Sequence, residues 1–250
     1  MATEIENQRG QRLMCEYNEG TGPGVMFLPG FKSNRLGTKA LFLADVCRQR
    51  GTPFLTLDYS GHGDSDGDFA NGNISDWLQD AVDALRQLGQ GRHWVLVGSS
   101  MGAWVSLLLA SRMQDLVAGL LTIAAAPDFT ERLIWERLPE DIQAQLLRGE
   151  AWMRPSEYDD GTPYPITLQL IEDGRQHLLL SQPIALDFPL RALHGLADSD
   201  VPWQQSLQMV EQWRGADARL ELIKGADHRL SEPTHLALIR SRLEELLALG

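Results

Sequence analysis

The chain reads as an α/β protein, with a mostly parallel central sheet covered by helices on both faces. Three observations predict it. Short apolar runs alternate with amphipathic stretches along most of the 250 residues, as expected when parallel strands are joined by helical crossovers. One junction, Gly98-Ser99-Ser100-Met101-Gly102, sets G-x-S-x-G between the apolar run His93-Trp94-Val95-Leu96-Val97 and a helix-like segment over 103–113. A long segment, 127–189, then breaks the alternation and carries Pro139, Pro155, Pro163, Pro165 and Pro183.

The elements follow in order. The first 24 residues predict an antiparallel edge hairpin, with a strand over 12–17 and a turn over 19–24. Val25-Met26-Phe27-Leu28 is a buried-strand run ending in Pro29-Gly30-Phe31-Lys32-Ser33. A helix over 39–50 stops at Gly51, a favoured helix terminator. A strand over 53–57 leads into Asp58-Tyr59-Ser60-Gly61-His62-Gly63. The next helix starts near Ser75 and puts Leu78, Val82, Leu85 and Leu88 on one face. After the G-x-S-x-G junction comes a strand over 116–126. Beyond the irregular segment, Leu190-Arg191-Ala192-Leu193 and 218–223 are strands, and 233–247 is a helix.

The strand, sharp turn and helix around Ser100 form the pattern of a nucleophile elbow. Glycines flank the serine because side chains there would clash in a strained turn. Two partners follow. Asp198 lies in the loop His194-Gly195-Leu196-Ala197-Asp198-Ser199-Asp200 past one strand, and His228 lies in Lys224-Gly225-Ala226-Asp227-His228 past a later one. A serine nucleophile deprotonated by a histidine base, with an acid fixing the histidine tautomer, needs these three types. Asp200 competes with Asp198, and the spacing His-Gly-x-x-Asp favours Asp198. Among the other histidines, His62 reads as a turn residue shaping the mouth of the site, and His194 as packing under the acid loop. Two backbone N–H groups should meet the developing oxyanion, one from Met101 and one from Phe31. A plain Ser cap and a plain Pro-Gly turn are the bland alternatives.

Composition narrows the classes. The length suits one large domain, and 43% hydrophobic residues suit a sizeable core. A net charge of −12 argues against nucleic acid or an anionic membrane as the main partner. Cys15 and Cys47 are far apart, form no C-x-x-C pair and read as reduced thiols. No targeting segment is legible in the polar start, and no apolar stretch reaches bilayer length. The expected location is therefore cytoplasmic. No metal cluster and no phosphate-binding glycine loop stands out, so neither metal nor cofactor is expected. Oligomeric state stays open.

These residues resemble one branch of the α/β-hydrolases, that of the mitochondrial palmitoyl-protein thioesterase, also described as an acyl-glucuronide esterase, with its bacterial relatives. The matching pieces include Leu28-Pro29-Gly30-Phe31-Lys32-Ser33, the 58–63 loop, the elbow through Trp104 and Ala124-Ala125-Ala126-Pro127-Asp128-Phe129. Ile171-Glu172-Asp173-Gly174-Arg175, His194 through Trp203 and Asp227-His228-Arg229-Leu230 match as well. Ala103 stands where a second glycine is more usual.

The resemblance implies an α/β-hydrolase core over 1–126 and 190–250, with 127–189 as a helical lid. It places the triad on Ser100, Asp198 and His228, and it implies a small-molecule or protein-bound acyl thioester or ester as substrate. Among the lid aromatics Phe129, Trp135, Trp152, Tyr158 and Tyr164, we expect Trp135, Trp152 and Tyr164 to contact the substrate. Simple packing of the lid onto the core is the alternative for each. The residue 172–175 stretch reads as a turn, with Arg175 in a surface ion pair. An amide- or carbon–carbon-cleaving enzyme with the same triad, or a non-catalytic receptor on the same fold, are the competing functions.

Overall fold

The computed structural model describes residues 2–155 and 161–249. Strands β1 (Ala2–Glu6) and β2 (Arg12–Asn18) pair antiparallel. Their turn closes at 7–11, where the Asn7 N–H donates to the Gln11 carbonyl at 2.9 Å. The stretch over 19–24, expected as the hairpin turn, instead leads from β2 into β3 (Gly24–Leu28). β1 left no apolar run to read, because it is an edge strand with Ile5 as its one buried residue.

Alternation then proceeds through α1 (Thr38–Arg50), β4 (Phe54–Leu57), α2 (Ile74–Leu88), β5 (Trp94–Ser99), α3 (Met101–Arg112) and β6 (Val117–Ile123). The termini follow local chemistry. Gly51 takes the left-handed conformation at φ 65° and closes α1. The Asn73 side chain accepts the Asp76 N–H and opens α2.

After β6 the chain forms α4 (Glu140–Leu147), β7 (Trp152–Arg154), β8 (Tyr164–Ile166) and α5 (Leu168–Arg175). It ends with β9 (Leu190–Gly195), α6 (Gln204–Gln212), β10 (Ala218–Ile223) and α7 (Pro233–Leu247). The central sheet has eight strands in the order β1-β2-β4-β3-β5-β6-β9-β10. Pairing is antiparallel from β1 to β4 and parallel from β4 to β10.

Every residue of β3 and β5 is buried, as expected of central strands covered on both faces. Leu43, Cys47, Ile239 and Leu243 of α1 and α7 pack one face. Trp77, Val82, Trp104 and Leu107 of α2 and α3 pack the other. The loops leaving the C-terminal ends of β3, β5, β9 and β10 gather at one sheet edge, where open α/β sheets place ligands.

Among the described residues, the 127–189 segment contributes no strand to the central sheet, and β7 and β8 pair with each other. Buried Asp128 accepts the N–H groups of Leu179 and Leu180 at 2.8 and 2.9 Å, which ties the start of the insertion to its end. The 172–175 stretch, expected as a turn, is instead the last part of α5. Thr167 caps that helix, and Gly174 lets it lie against Thr130, whose Oγ1 would sit 2.1 Å from an added Cβ. Asp173 accepts the Ser75 N–H at 2.8 Å and fastens α5 to the start of α2. Arg175 does pair at the surface, with Glu131 at 2.7 Å, and lies 4.8 Å over the Trp135 ring. No helix among the described residues is long and apolar enough to cross a membrane.

Candidate active site

Ser100 stands between the end of β5 and the first turn of α3, at φ 56° and ψ −120°. A non-glycine residue there costs about 1–3 kcal/mol and persists only if its surroundings hold it. They do. Its N–H donates to Ile123 O at 2.9 Å, and its carbonyl accepts from Ala103 and Ala126 at 3.0 and 3.2 Å. Both flanking glycines are required by contact. A Cβ on Gly98 would sit 2.4 Å from Gly102 O, and one on Gly102 would sit 1.9 Å from Leu28 O.

Ser100 Oγ lies 3.0 Å from His228 Nε2, and His228 Nδ1 lies 2.7 Å from Asp198 Oδ2. Three loops from three strand ends thus form one hydrogen-bonded chain. Asp198 is nearly fully buried, while the His228 side chain is 17% exposed. The other Asp198 oxygen accepts the N–H groups of Asp200 and Val201 at 2.9 and 2.8 Å. His194 Nε2 lies 3.1 Å from Asp198 Oδ2, and its Nδ1 lies 2.7 Å from Ser206 Oγ. Burial by itself would raise the Asp198 carboxyl. The hydrogen bonds to His194 and His228, with the charge of His228 and the Val201 N–H, outweigh it and hold the carboxyl well below the usual range. Asp200 makes no bond to His228, and its Oδ2 is buried without a partner among the described residues. Asp198, Asp200 and His228 are also the one group of potential metal ligands found close together among the described residues. Asp198 and His228 already engage each other there.

Phe31 and Met101 both lie beside the serine in the wall of one cavity. Met101 opens α3, so its N–H has no partner within the helix. Phe31 lies in the loop after β3, where Ser33 N–H closes on Gly30 O at 3.0 Å. A Cβ on Gly30 would sit 3.3 Å from the Ser100 Cβ, so this loop lies directly against the serine. Among the described residues, no protein acceptor takes either N–H.

A cavity of about 600 Å³ opens over Ser100, with Phe31, Met101 and His228 in its walls. Phe129, Leu133, Tyr164 and Val201 contribute apolar surface to its lining, and Lys32, Lys39, Arg154, Asn34 and Ser231 contribute polar groups. Phe31 meets Phe129 and Tyr164 at centroid distances of 5.5 and 5.6 Å. Burial pushes the Lys39 ammonium down to about 8, against the opposing charge of Asp227.

Of the expected substrate contacts, Tyr164 lines the cavity and Trp135 and Trp152 do not. Trp135 lies under Arg175 instead. Trp152 pairs with Ile166 in the β7–β8 ribbon, whereas the Arg154–Tyr164 pair borders the cavity. Two residues along a strand is about 7 Å, enough to take Trp152 out of reach. Tyr158 lies outside the described residues. Phe129 and Leu133 carried a usable signal, since positions four apart in a helical turn share a face. Arg154 carried none.

A family model described as the alpha/beta hydrolase family matches residues 25–239. The chain belongs to the α/β-hydrolase family. The palmitoyl-protein thioesterase ABHD10, mitochondrial, of Rattus norvegicus is 35% identical over 230 residues, 92% of this chain and 76% of that protein. A crystal structure of a protein from Agrobacterium vitis S4 superposes with a TM-score of 0.94 at 33% identity, covering 99% of this chain and 98% of that one. The mouse alpha/beta hydrolase domain-containing protein 10 superposes at 0.90 with 32% identity, again over 99% and 98%. This α/β-hydrolase is therefore related to the ABHD10 thioesterases over most of its length.

Proposed function

We propose that this α/β-hydrolase is a serine hydrolase that cleaves carboxylic thioesters or esters through Ser100, His228 and Asp198. The observation that carries the proposal is the unbroken chain from Ser100 Oγ to His228 at 3.0 Å and on to Asp198 at 2.7 Å. Asp198 accepts the proton-bearing Nδ1, which leaves the Nε2 lone pair facing the serine hydroxyl. His228 takes the Oγ proton as Oγ attacks the carbonyl carbon. The Phe31 and Met101 N–H groups hold the resulting oxyanion. His228 then protonates the departing thiol or alcohol, and the acyl group stays on Ser100. A water, deprotonated by His228, attacks this acyl-enzyme, releases the acid and restores the serine.

The proposal assigns 1–126 and 190–250 to the hydrolase core and 127–189 to a lid. The lid's Phe129, Leu133 and Tyr164 would seat the acyl chain, and polar lining groups such as Lys39, Asn34 and Ser231 would meet the leaving group. The thioesterase name of the rat relative supports an acyl thioester. Cys15 and Cys47, both free and buried, agree with a cytoplasmic placement.

The test is hydrolysis of matched acyl thioesters and p-nitrophenyl esters from C2 to C16, with Ser100→Ala as the blank. Ser100-dependent turnover favouring long thioesters is expected. Turnover confined to short esters would refute the long-chain thioesterase assignment, and turnover by Ser100→Ala would refute the nucleophile.

A further inference from the structure

The Phe31 ring packs among Phe69, Trp77, Phe129 and Tyr164, but the backbone that carries its N–H lies in a loop. Residues 29–33 belong to no helix or strand, and Lys32 sits at φ 60°, where a side-chain-bearing residue is strained. An oxyanion donor is useful only if it is fixed before reaction. A contact from another loop adds a constraint on the backbone itself. The Lys32 N–H lies 3.2 Å from His62 Nε2, and His62 Nδ1 lies 3.3 Å from Ser60 O.

Those two partners settle the imidazole's protons. A carbonyl oxygen only accepts, so Nδ1 carries the hydrogen. A backbone N–H only donates, so Nε2 offers its lone pair. His62 is 4% exposed, and its ring makes steep, T-shaped contacts with Tyr59, Phe69 and Trp77 at centroid distances of 5.7, 5.1 and 5.2 Å. Trp77 Nε1 donates to the same Ser60 carbonyl at 3.1 Å. Ser60 N–H in turn donates to buried Asp80 at 2.8 Å. The loop bearing His62 is tied down again by Asp58, which accepts the Arg35 N–H at 2.6 Å and the Asp64 N–H at 3.0 Å. Burial drives the imidazole down to about 4, with the Ser60 bond and the Asp58 charge opposing, so the lone pair is available at neutral pH.

We propose that His62 is a positioning residue for the oxyanion hole, holding the Lys32 N–H so that the Phe31 N–H stays aimed at the substrate oxygen. Fixing the Lys32 N–H fixes the plane of the peptide between Phe31 and Lys32. The Phe31 N–H is then set from both sides, by that plane and by Gly30 lying against Ser100. His62 touches no reacting atom in this scheme. The proposal rests on the serine-hydrolase reading of Ser100.

The experiment compares His62→Phe and His62→Gln with the parent and with Ser100→Ala. Phenylalanine keeps the aromatic packing and removes the acceptor. Glutamine can reach both Ser60 O and the Lys32 N–H. His62→Phe should lower kcat about 10- to 100-fold, below the loss for deleting a donor outright, with KM within about twofold. Its affinity for an alkyl boronic acid, which forms a tetrahedral adduct on serine, should fall by the same factor. His62→Gln should recover most of both.

Unchanged kcat and boronate affinity in a folded His62→Phe would overturn the proposal, as would a loss confined to KM. If His62→Phe does not fold, His62→Gln against His62→Asn decides, because asparagine reaches Ser60 but not Lys32. Glutamine should exceed asparagine about tenfold in kcat, and equality would overturn the proposal. Turnover by Ser100→Ala is a separate failure, that of the serine-hydrolase reading itself.

Discussion

Replacing Asp198 by asparagine keeps the shape of the acid and inverts one hydrogen bond. The outcome follows from which way the amide must face. Asp198 Oδ1 accepts the N–H groups of Asp200 and Val201, so an asparagine must place its carbonyl oxygen there. The reverse orientation would set NH₂ against two N–H donors and leave both unpaired, at about 1–3 kcal/mol each. The NH₂ therefore faces His228 Nδ1, 2.7 Å from the present oxygen. That imidazole must now accept at Nδ1 and carry its proton on Nε2, toward Ser100. His194 Nε2, 3.1 Å away, also faces the Val201 carbonyl at 2.9 Å, so meeting the other amide hydrogen by a change of tautomer gives up that one bond.

The fold should survive while the base is lost. A wrong-tautomer histidine costs a serine triad about 10⁴ in kcat, or about 5.5 kcal/mol. The assay is kcat/KM for a p-nitrophenyl ester and the rate of fluorophosphonate labelling of Ser100, with a thermal melt to show folding. Asp200→Asn, which breaks no side-chain bond to His228, should stay within about twofold. Asp198→Asn retaining a tenth or more of the activity, or Asp200→Asn losing more than Asp198→Asn, would refute the reasoning.

Three further outcomes are expected. Gly102→Ala drives a Cβ to 1.9 Å from Leu28 O and 2.4 Å from Pro29 O, so it should destabilise by at least about 3 kcal/mol in a urea melt. A near-parental midpoint would show that the elbow can relax. Asp128→Ala removes the acceptor for two backbone N–H groups that join the ends of the insertion. Burial pushes the Asp128 carboxyl up and offsets part of the gain, leaving a loss of about 2–3 kcal/mol and faster proteolysis within 127–189. Unchanged cleavage would place the fastening elsewhere. His62 titrates at about 4 in the folded chain against 6.5 unfolded, mainly because it is buried. The unfolded state thus binds more protons between those values, and stability falls as pH drops through that window. From pH 7 to pH 5 this single group takes away about 2 kcal/mol, and His62→Gln should shrink the fall by that amount. An identical pH slope in the variant would show that the imidazole is not shielded.

The fold was legible wherever burial on both faces left an apolar run, as in β3, β5 and β6. It was hidden where an element is exposed. β1 is a polar edge strand and left no such trace. The 172–175 stretch contains Asp-Gly, which locally favours a turn, yet packing against Thr130 and Ser75 keeps it helical. Local preference lost there to tertiary contact, as weak propensities do.

The residues of the site divide in the same way. Ser100, Asp198 and His228 could be proposed from the chain alone, because each must follow a strand and strand ends carry a sequence signal. The flanking glycines were legible for the same reason, since an elbow excludes side chains wherever it occurs. Several things needed the folded molecule. It showed that Asp198 rather than Asp200 bonds to His228, that Phe129, Leu133 and Arg154 rather than Trp135 and Trp152 border the cavity, and that His62 reaches across to Lys32. All of these are contacts between segments distant in the chain. A linear pattern records which face of an element is apolar, but not which neighbour that face will meet. Only the sheet order and the packing of the insertion decide that.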